Sequence, residues 1–226
     1  MKKNSKIAQQ RDVRIVPFER KYRDMVRRCV YETGYGGETA EIYFEDMELF
    51  ADMNTLYYTD YEPESAFVGL VDGEPAGYLL GCVDTLRFEK IMSDEVMPYM
   101  LKGLTSGRYN LAPGVRRNLS RGITMMIRGE VDEAPSDAYP AHLHIDLFEP
   151  YRRFGLGSRL ILGYFDFLRD RGVHGVHLNT SSAHTLALPF YEKLGFRRYS
   201  VRRVQTSFFR ELVDRDFYNI CYVKHI

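Results

Sequence analysis

The chain has 226 residues, with 31 Lys and Arg set against 31 Asp and Glu, and is 45% hydrophobic and 14% aromatic. That length suits one large domain or one domain with an insertion, and the apolar content excludes disorder of the chain as a whole. The zero net charge excludes a global pull toward nucleic acid or an anionic membrane, so partners are to be sought at sites. Cys29, Cys82 and Cys221 are isolated and odd in number, which argues against a disulfide framework or a thiolate zinc site and points to a reducing cytosol. Residues 1–12 are polar and basic without an apolar core, and no stretch approaches the ~18 apolar residues of a membrane span. A cytoplasmic protein without a membrane partner is expected, with residues 1–12 as a flexible tail.

In chain order, Val13–Pro17 predicts the first strand. Tyr22, Met25, Val26, Cys29 and Val30 then recur at helical spacing and predict an amphipathic helix. After Gly34, Gly36 and Gly37 a second helix is predicted over 38–52, carrying Ile42, Met47, Leu49 and Phe50. Residues 66–83 read as two apolar runs joined by Asp72-Gly73, a pair that tolerates positive φ and suits a two-residue hairpin turn. Residues 84–139 are less regular, with helical stretches near 88–101 and 114–127 and then an acidic, Pro-containing link. An apolar strand follows over 141–148, and after a Gly-containing loop comes a helix whose Leu160, Ile161, Tyr164, Phe165 and Leu168 share one face. Gly172 ends that helix. A strand over 175–179, a short helix ending at Leu194 before Gly195, and strands over 196–204 and 217–223 complete the pattern. Strands and helices mix without strict alternation, so the fold expected is α+β, a mainly antiparallel sheet flanked by helices with one parallel crossover around 157–172.

The most informative residues are Arg152, Arg153, Phe154, Gly155, Leu156, Gly157 and Ser158, placed between a strand and the start of a helix. Amides of a first helical turn have no intrahelical acceptor and add to the helix dipole, so an anion is favoured there. Glycines at 155 and 157 remove the Cβ atoms that keep a diphosphate from the backbone, and Arg152 or Arg153 offers a charge-assisted contact. A nucleotide-like ligand is implied, the alternative being a Gly-rich turn that serves packing only. The loop is neither a P-loop nor a Rossmann loop, since Leu160 stands where GxGxxG needs glycine.

About 30 residues on, Phe190-Tyr191-Glu192-Lys193-Leu194-Gly195-Phe196 supplies a second element. The Arg-x-x-Gly-x-Gly loop followed by this segment resembles the acetyl-CoA-binding core of the GNAT superfamily of N-acetyltransferases. A narrower likeness, carried by residues 33–40, His142-Leu143-His144-Ile145-Asp146-Leu147 and the extra segment 84–139, is to the acetyltransferase-like domain of O-GlcNAcases and its free-standing bacterial relatives. The resemblance implies a GNAT fold with a splayed central strand pair. It also implies a single domain over 13–226, with an insertion at 84–139 and an acetyl-CoA-binding core at 141–196. By the same likeness, backbone groups of Leu147 and Phe148 pair with the pantetheine arm, and the amides of Arg153 through Ser158 hold the diphosphate. His184 stands where relatives often have Asn, which puts one cofactor or capping contact in doubt.

For the reaction, the resemblance implies transfer of acetyl from acetyl-CoA to an amine acceptor, a small molecule or a peptide, in a ternary complex, by a monomer or homodimer. Tyr191 matches the general acid of the family, and a phenol of pKa near 10 is a sensible proton donor to a thiolate. Strand alternation puts His142, His144 and Asp146 on one face, about 6.6 Å apart in succession. Asp146 lies closest to where the acetyl group is expected and is the first candidate for the base, with His144 as the other. The same residues with His177 also admit a metal-site reading, which no HExxH or cysteine pair supports. Asp84, Glu38 and Glu41 are candidates to hold a cationic acceptor. The basic clusters Arg116, Arg117, Arg121 and Arg197, Arg198, Arg202, Arg203 read as solvated faces, the first also as a contact for the 3′-phosphate of CoA. The competing function is a non-catalytic domain of the same fold that senses CoA or binds a protein.

Overall fold

The computed structural model describes residues 11–205 and 216–226. Most of the expected tail therefore lies outside the described residues. Strands β1 (Val13–Pro17), β2 (Ala66–Val71), β3 (Glu74–Cys82), β4 (Ala141–Leu147), β5 (Gly175–Ser181), β6 (Arg197–Arg203) and β7 (Tyr218–His225) form a seven-stranded sheet in the order β1-β2-β3-β4-β5-β7-β6. Its pairings are antiparallel except β4 with β5. The β2–β3 hairpin turns on Asp72 and Gly73, both at positive φ (54° and 87°), as the sequence requires of a two-residue turn. The crossover from β4 to β5 runs through helix α6 (Leu156–Asp170), which ends at Gly172 with φ 69°.

Register decides where the sheet opens. β4 and β5 pair only at Ala141 with Val176 and His142 with His177, and beyond His142 the two strands part. On one face α6 and α7 (Ala187–Lys193) bury a core of Leu79, Leu143, Leu160, Ile161, Phe165 and Tyr191 with their neighbours. On the other face α1 (Arg23–Thr33) and α2 (Met47–Asp60) cover Tyr78, Leu80 and Cys82. The even-numbered residues of β4 turn toward α1 and α2, and the odd ones toward α6.

The helix expected over 38–52 begins and ends later. Thr39 caps only a 3₁₀ turn, Ala40–Ile42, and the chain stays irregular until Asp46 accepts the Leu49 amide (2.6 Å) and starts α2. α2 then runs to Asp60 because Tyr57 and Tyr58 are buried against the sheet and Leu56 against the helices between β3 and β4, tertiary contacts that local pattern does not encode. Between β3 and β4 lie α3 (Thr85–Ile91), a π-helical turn (Met92–Val96), α4 (Met97–Thr105) and α5 (Pro113–Ile127). The wide turn sits just before Pro98, where a regular helix would set the proline ring against the carbonyl of Asp94. These helices pack on α1 and α2 through Tyr31, Phe44, Leu49, Val96, Met100 and Val115.

Candidate active site

The parting of β4 from β5 opens a cleft of about 820 Å³, within the ~300–1,000 Å³ usual for small-molecule sites. Three parts of the chain surround it: the end of β4 (Ile145, Asp146, Leu147), the loop and first turn of α6 (Arg152, Arg153, Gly155, Gly157, Ser158), and the β5–α7 segment (His184 through Ala187, Phe190, Tyr191). A fourth, the turn Gly36-Gly37-Glu38, closes one side. That turn is clasped by reciprocal 2.8 Å backbone bonds between Tyr35 and Glu38.

The loop has the geometry of an anion cradle. Arg153 (φ 70°) and Gly155 (φ 78°) both stand in the left-handed region, which turns successive amides toward one side. No side chain caps α6, and its first helical bond is from the Arg159 amide to Gly155 (3.1 Å), so the amides of Leu156, Gly157 and Ser158 have no acceptor within the helix. Gly157 also has a packing reason: a Cβ there would come 3.2 Å from the Phe190 ring, so α7 settles closely on α6 only over glycine. Phe154 is exposed, with Arg11 over its ring at 5.4 Å, and Leu156 is buried in the core, so neither side chain lines the cleft.

Arg152 departs from expectation. Its Nε donates to the Leu147 carbonyl (3.0 Å) and its Nη2 to that of Gly37 (2.9 Å), so it staples the end of β4 to the Gly36-Gly37 turn instead of pointing along the loop. Arg153 is exposed and makes no ion pair among the described residues. The Phe148 amide donates to Ala76 on β3 (3.0 Å), which corrects its expected role: its backbone faces the neighbouring strand. Alternation turns the backbone groups of Ile145 and Leu147 to the open edge.

Tyr191 sits on α7 with its ring packed against Phe196 and Tyr222, at centroid distances of 5.8 and 5.9 Å. Its phenol borders the cleft and makes no hydrogen bond to a described residue. Burial pushes it above the usual phenol range, and the Asp146 charge adds to this, so it stays protonated. Asp146 faces it from β4. Burial raises this carboxyl above the usual carboxylate range, while His144, the Tyr78 hydroxyl, His184 and Thr33 pull it back. The Tyr78 O–H donates to Asp146 Oδ2 (2.8 Å) and lies 3.2 Å from His144 Nδ1, and His144 Nε2 is 3.6 Å from the same carboxyl oxygen. Tyr78 and Thr33 escaped sequence reasoning, because only the β3–β4 register brings Tyr78 opposite Asp146.

His184 lines the cleft, and its carbonyl accepts the Ala187 amide (2.9 Å) at the entry to α7. Burial lowers its pKa and keeps the imidazole neutral. His142 shares the β4 face but not the cleft. Its ring nitrogens are taken by the Tyr58 hydroxyl and the Thr85 hydroxyl (2.9 Å each), and His177 directs Nδ1 to the Tyr139 carbonyl (3.0 Å), which removes the metal reading at His142. Asp84 caps α3 through the Arg87 amide (3.1 Å) and does not border the cleft, whereas Glu38 does. Arg197 bonds the Tyr139 hydroxyl, and Arg198, Arg202 and Arg203 pair with Glu192, Asp132 and Asp216.

Residues 128–196, which hold β4, the loop, α6, β5 and α7, match the model of the acetyltransferase (GNAT) family. The segment that builds the cleft is that of a GNAT acetyltransferase. Fifty-nine residues, 26% of the chain, are 41% identical to glucosamine 6-phosphate N-acetyltransferase of Trypanosoma brucei brucei and span 38% of that protein. The crystal structure of SsHAT superposes with a TM-score of 0.70 at 28% identity, over 95% of this chain and 98% of that one. A polyamine N-acetyltransferase of Drosophila melanogaster shares the fold at 16% identity, with a TM-score of 0.57 over 95% of this chain and all (100%) of that one. The GNAT family uses acetyl-CoA as its cosubstrate, and the mixed sheet with a parallel pair in its middle matches the fold of the two superposed structures. No helix among the described residues is long and apolar enough to cross a membrane.

Proposed function

We propose that this GNAT domain, acting as one unit over 13–226 with 84–139 as an insertion, transfers acetyl from acetyl-CoA to an amine acceptor by direct attack in a ternary complex. The observation that carries the reading is the meeting, in one cleft, of uncapped α6 amides, the unclaimed phenol of Tyr191 and the half-buried carboxyl of Asp146. The α6 amides and Arg153 bind the diphosphate, while backbone groups of Leu147 and Ile145 on the open edge hold the pantetheine arm. The narrower kinship with the acetyltransferase-like domain of O-GlcNAcases belongs to the same proposal.

In the reaction Asp146, with His144 beside it, takes the proton that the neutral acceptor amine gives up as its nitrogen attacks the thioester carbonyl. As the nitrogen–carbon bond forms, a backbone amide of the open β4 edge faces the developing oxyanion. The carbon–sulfur bond then breaks and Tyr191 delivers its proton to the departing thiolate, regaining one from solvent. The raised pKa makes Asp146 a stronger base, and Tyr191, kept protonated, has its proton in place when the thiolate departs. The buried cysteines take no part, since burial pushes the thiols of Cys29, Cys82 and Cys221 up and keeps them protonated.

Thermal unfolding with and without acetyl-CoA tests the reading without knowledge of the acceptor. Ligand at 100 times its Kd adds about 2.7 kcal/mol, or roughly 5–11 °C for a chain of this size. A shift of that size, absent with adenosine, is expected and justifies a screen of amines. No shift and no heat of binding would overturn the proposal and favour the non-catalytic alternative.

A further inference from the structure

Tyr78 is fully buried on β3, where a phenylalanine would fill the same space between the sheet and α1. A buried hydroxyl is costly unless it has partners, and its partners here are two residues of the site. The register Tyr78 to Asp146 and Leu80 to His144 places both beside it, and its O–H donates to Asp146 Oδ2 at 2.8 Å. With that proton committed, His144 Nδ1 at 3.2 Å must be the donor to the phenol oxygen. The imidazole is then held as the Nδ1–H tautomer, with its lone pair on Nε2, 3.6 Å from the same carboxyl oxygen.

We propose that Tyr78 is the positioning residue of the base: its hydroxyl holds the Asp146 carboxyl and fixes the His144 tautomer, so that the two side chains accept a proton as one unit. The inference rests on the reading of Asp146 as the base. Other elements also face this carboxyl: Cys29 and Thr33 from α1, Tyr43 from the α1–α2 connection, and His184 and Tyr191 across the cleft. Arg152 acts on His184 and Cys29 with its charge, while its Nε and Nη2 are held by two backbone carbonyls. Among these groups Tyr78 is the one that donates to the carboxylate and also meets the imidazole.

The test is a carbon-13 NMR titration of the Asp146 carboxyl in the ligand-free full chain, with nitrogen-15 shifts of His144 recorded alongside. It compares wild type, Tyr78→Phe, and a protein with 3-fluorotyrosine in place of Tyr78, whose more acidic phenol donates more strongly. Loss of the donor in Tyr78→Phe is expected to raise the Asp146 midpoint by about one pH unit and to relax the Nδ1–H preference of His144. The fluorinated side chain is expected to move the midpoint down. One midpoint in all three proteins, or shifts of the same sign, would overturn the inference. If Tyr78→Phe does not fold, the fluorinated protein decides alone, and an unmoved midpoint overturns it. Acetyl-CoA is absent from this experiment, so a failure to bind acetyl-CoA sinks the proposed function and is separable from this result.

Discussion

A phenol left without a partner in a buried setting is a group kept for a ligand. Tyr191 has its ring fixed by Phe196 and Tyr222 and its oxygen at the cleft, so replacing it by phenylalanine removes one atom and little packing. Tyr191→Phe is expected to lower kcat by about 100-fold or more, the usual contribution of a positioned acid, with acetyl-CoA affinity nearly kept. Steady-state rates with an amine found by screening check this, and unchanged turnover would remove Tyr191 as the acid. Residue type and spacing made Gly155 and Gly157 legible in the chain, and the resemblance to the GNAT superfamily singled out Tyr191. Arg152 was legible as a member of the loop but not as a staple, because its two acceptors, Leu147 and Gly37, are 5 and 115 residues away in sequence.

At the scale of elements, one buried charge cluster ties the helical face together. Arg27 of α1 meets Asp52 and Glu48 of α2, and Asp52 also accepts from the Tyr109 hydroxyl (2.6 Å) beyond α4 and pairs with Arg108 (3.4 Å). Asp52 is 1% exposed, so neutralising it leaves the Arg27 guanidinium buried with less compensation. Asp52→Asn is expected to cost about 3–5 kcal/mol, the usual effect of breaking a buried pair. Urea unfolding monitored by circular dichroism reads this directly, and a loss below ~1 kcal/mol would mean that the cluster is solvated. The apolar stripes of α1 and α6 and the Asp72-Gly73 turn follow from local pattern. The length of α2 does not, because it depends on burial of Tyr57 and Tyr58 under the sheet.

For the whole molecule, the sheet gathers a half-buried imidazole that resists charging. His142 is enclosed between Tyr58, Thr85 and His177, and burial lowers its pKa to about 3 from an ordinary value of 6.5. Below pH 6.5 the unfolded chain binds a proton that the folded chain refuses, so stability is present at neutral pH and is lost as the pH falls from about 6.5 toward 3. The slope reaches about 1.4 kcal/mol per pH unit for one such group. His177, also lowered by burial, acts in the same direction. Chemical unfolding between pH 7 and 5 is expected to show a flatter dependence in His142→Gln than in wild type, and equal slopes would refute the assignment.

Pattern and composition by themselves determined the class of the fold and the strand, loop and helix around Gly155 and Gly157, because each depends on neighbours a few residues away, while Tyr191, Asp146 and His144 became candidates through the family resemblance of those segments. What only the tertiary structure decided is how these groups meet. Asp146 belongs to the α1 face of the sheet and Tyr191 to the α6 face, and they share a cleft because β4 and β5 stop pairing after His142. The β3–β4 register likewise chose Tyr78 as the partner of Asp146. Register and strand parting are set by the packing of whole layers, in which a one-residue slip would turn every side chain of a strand to the other face.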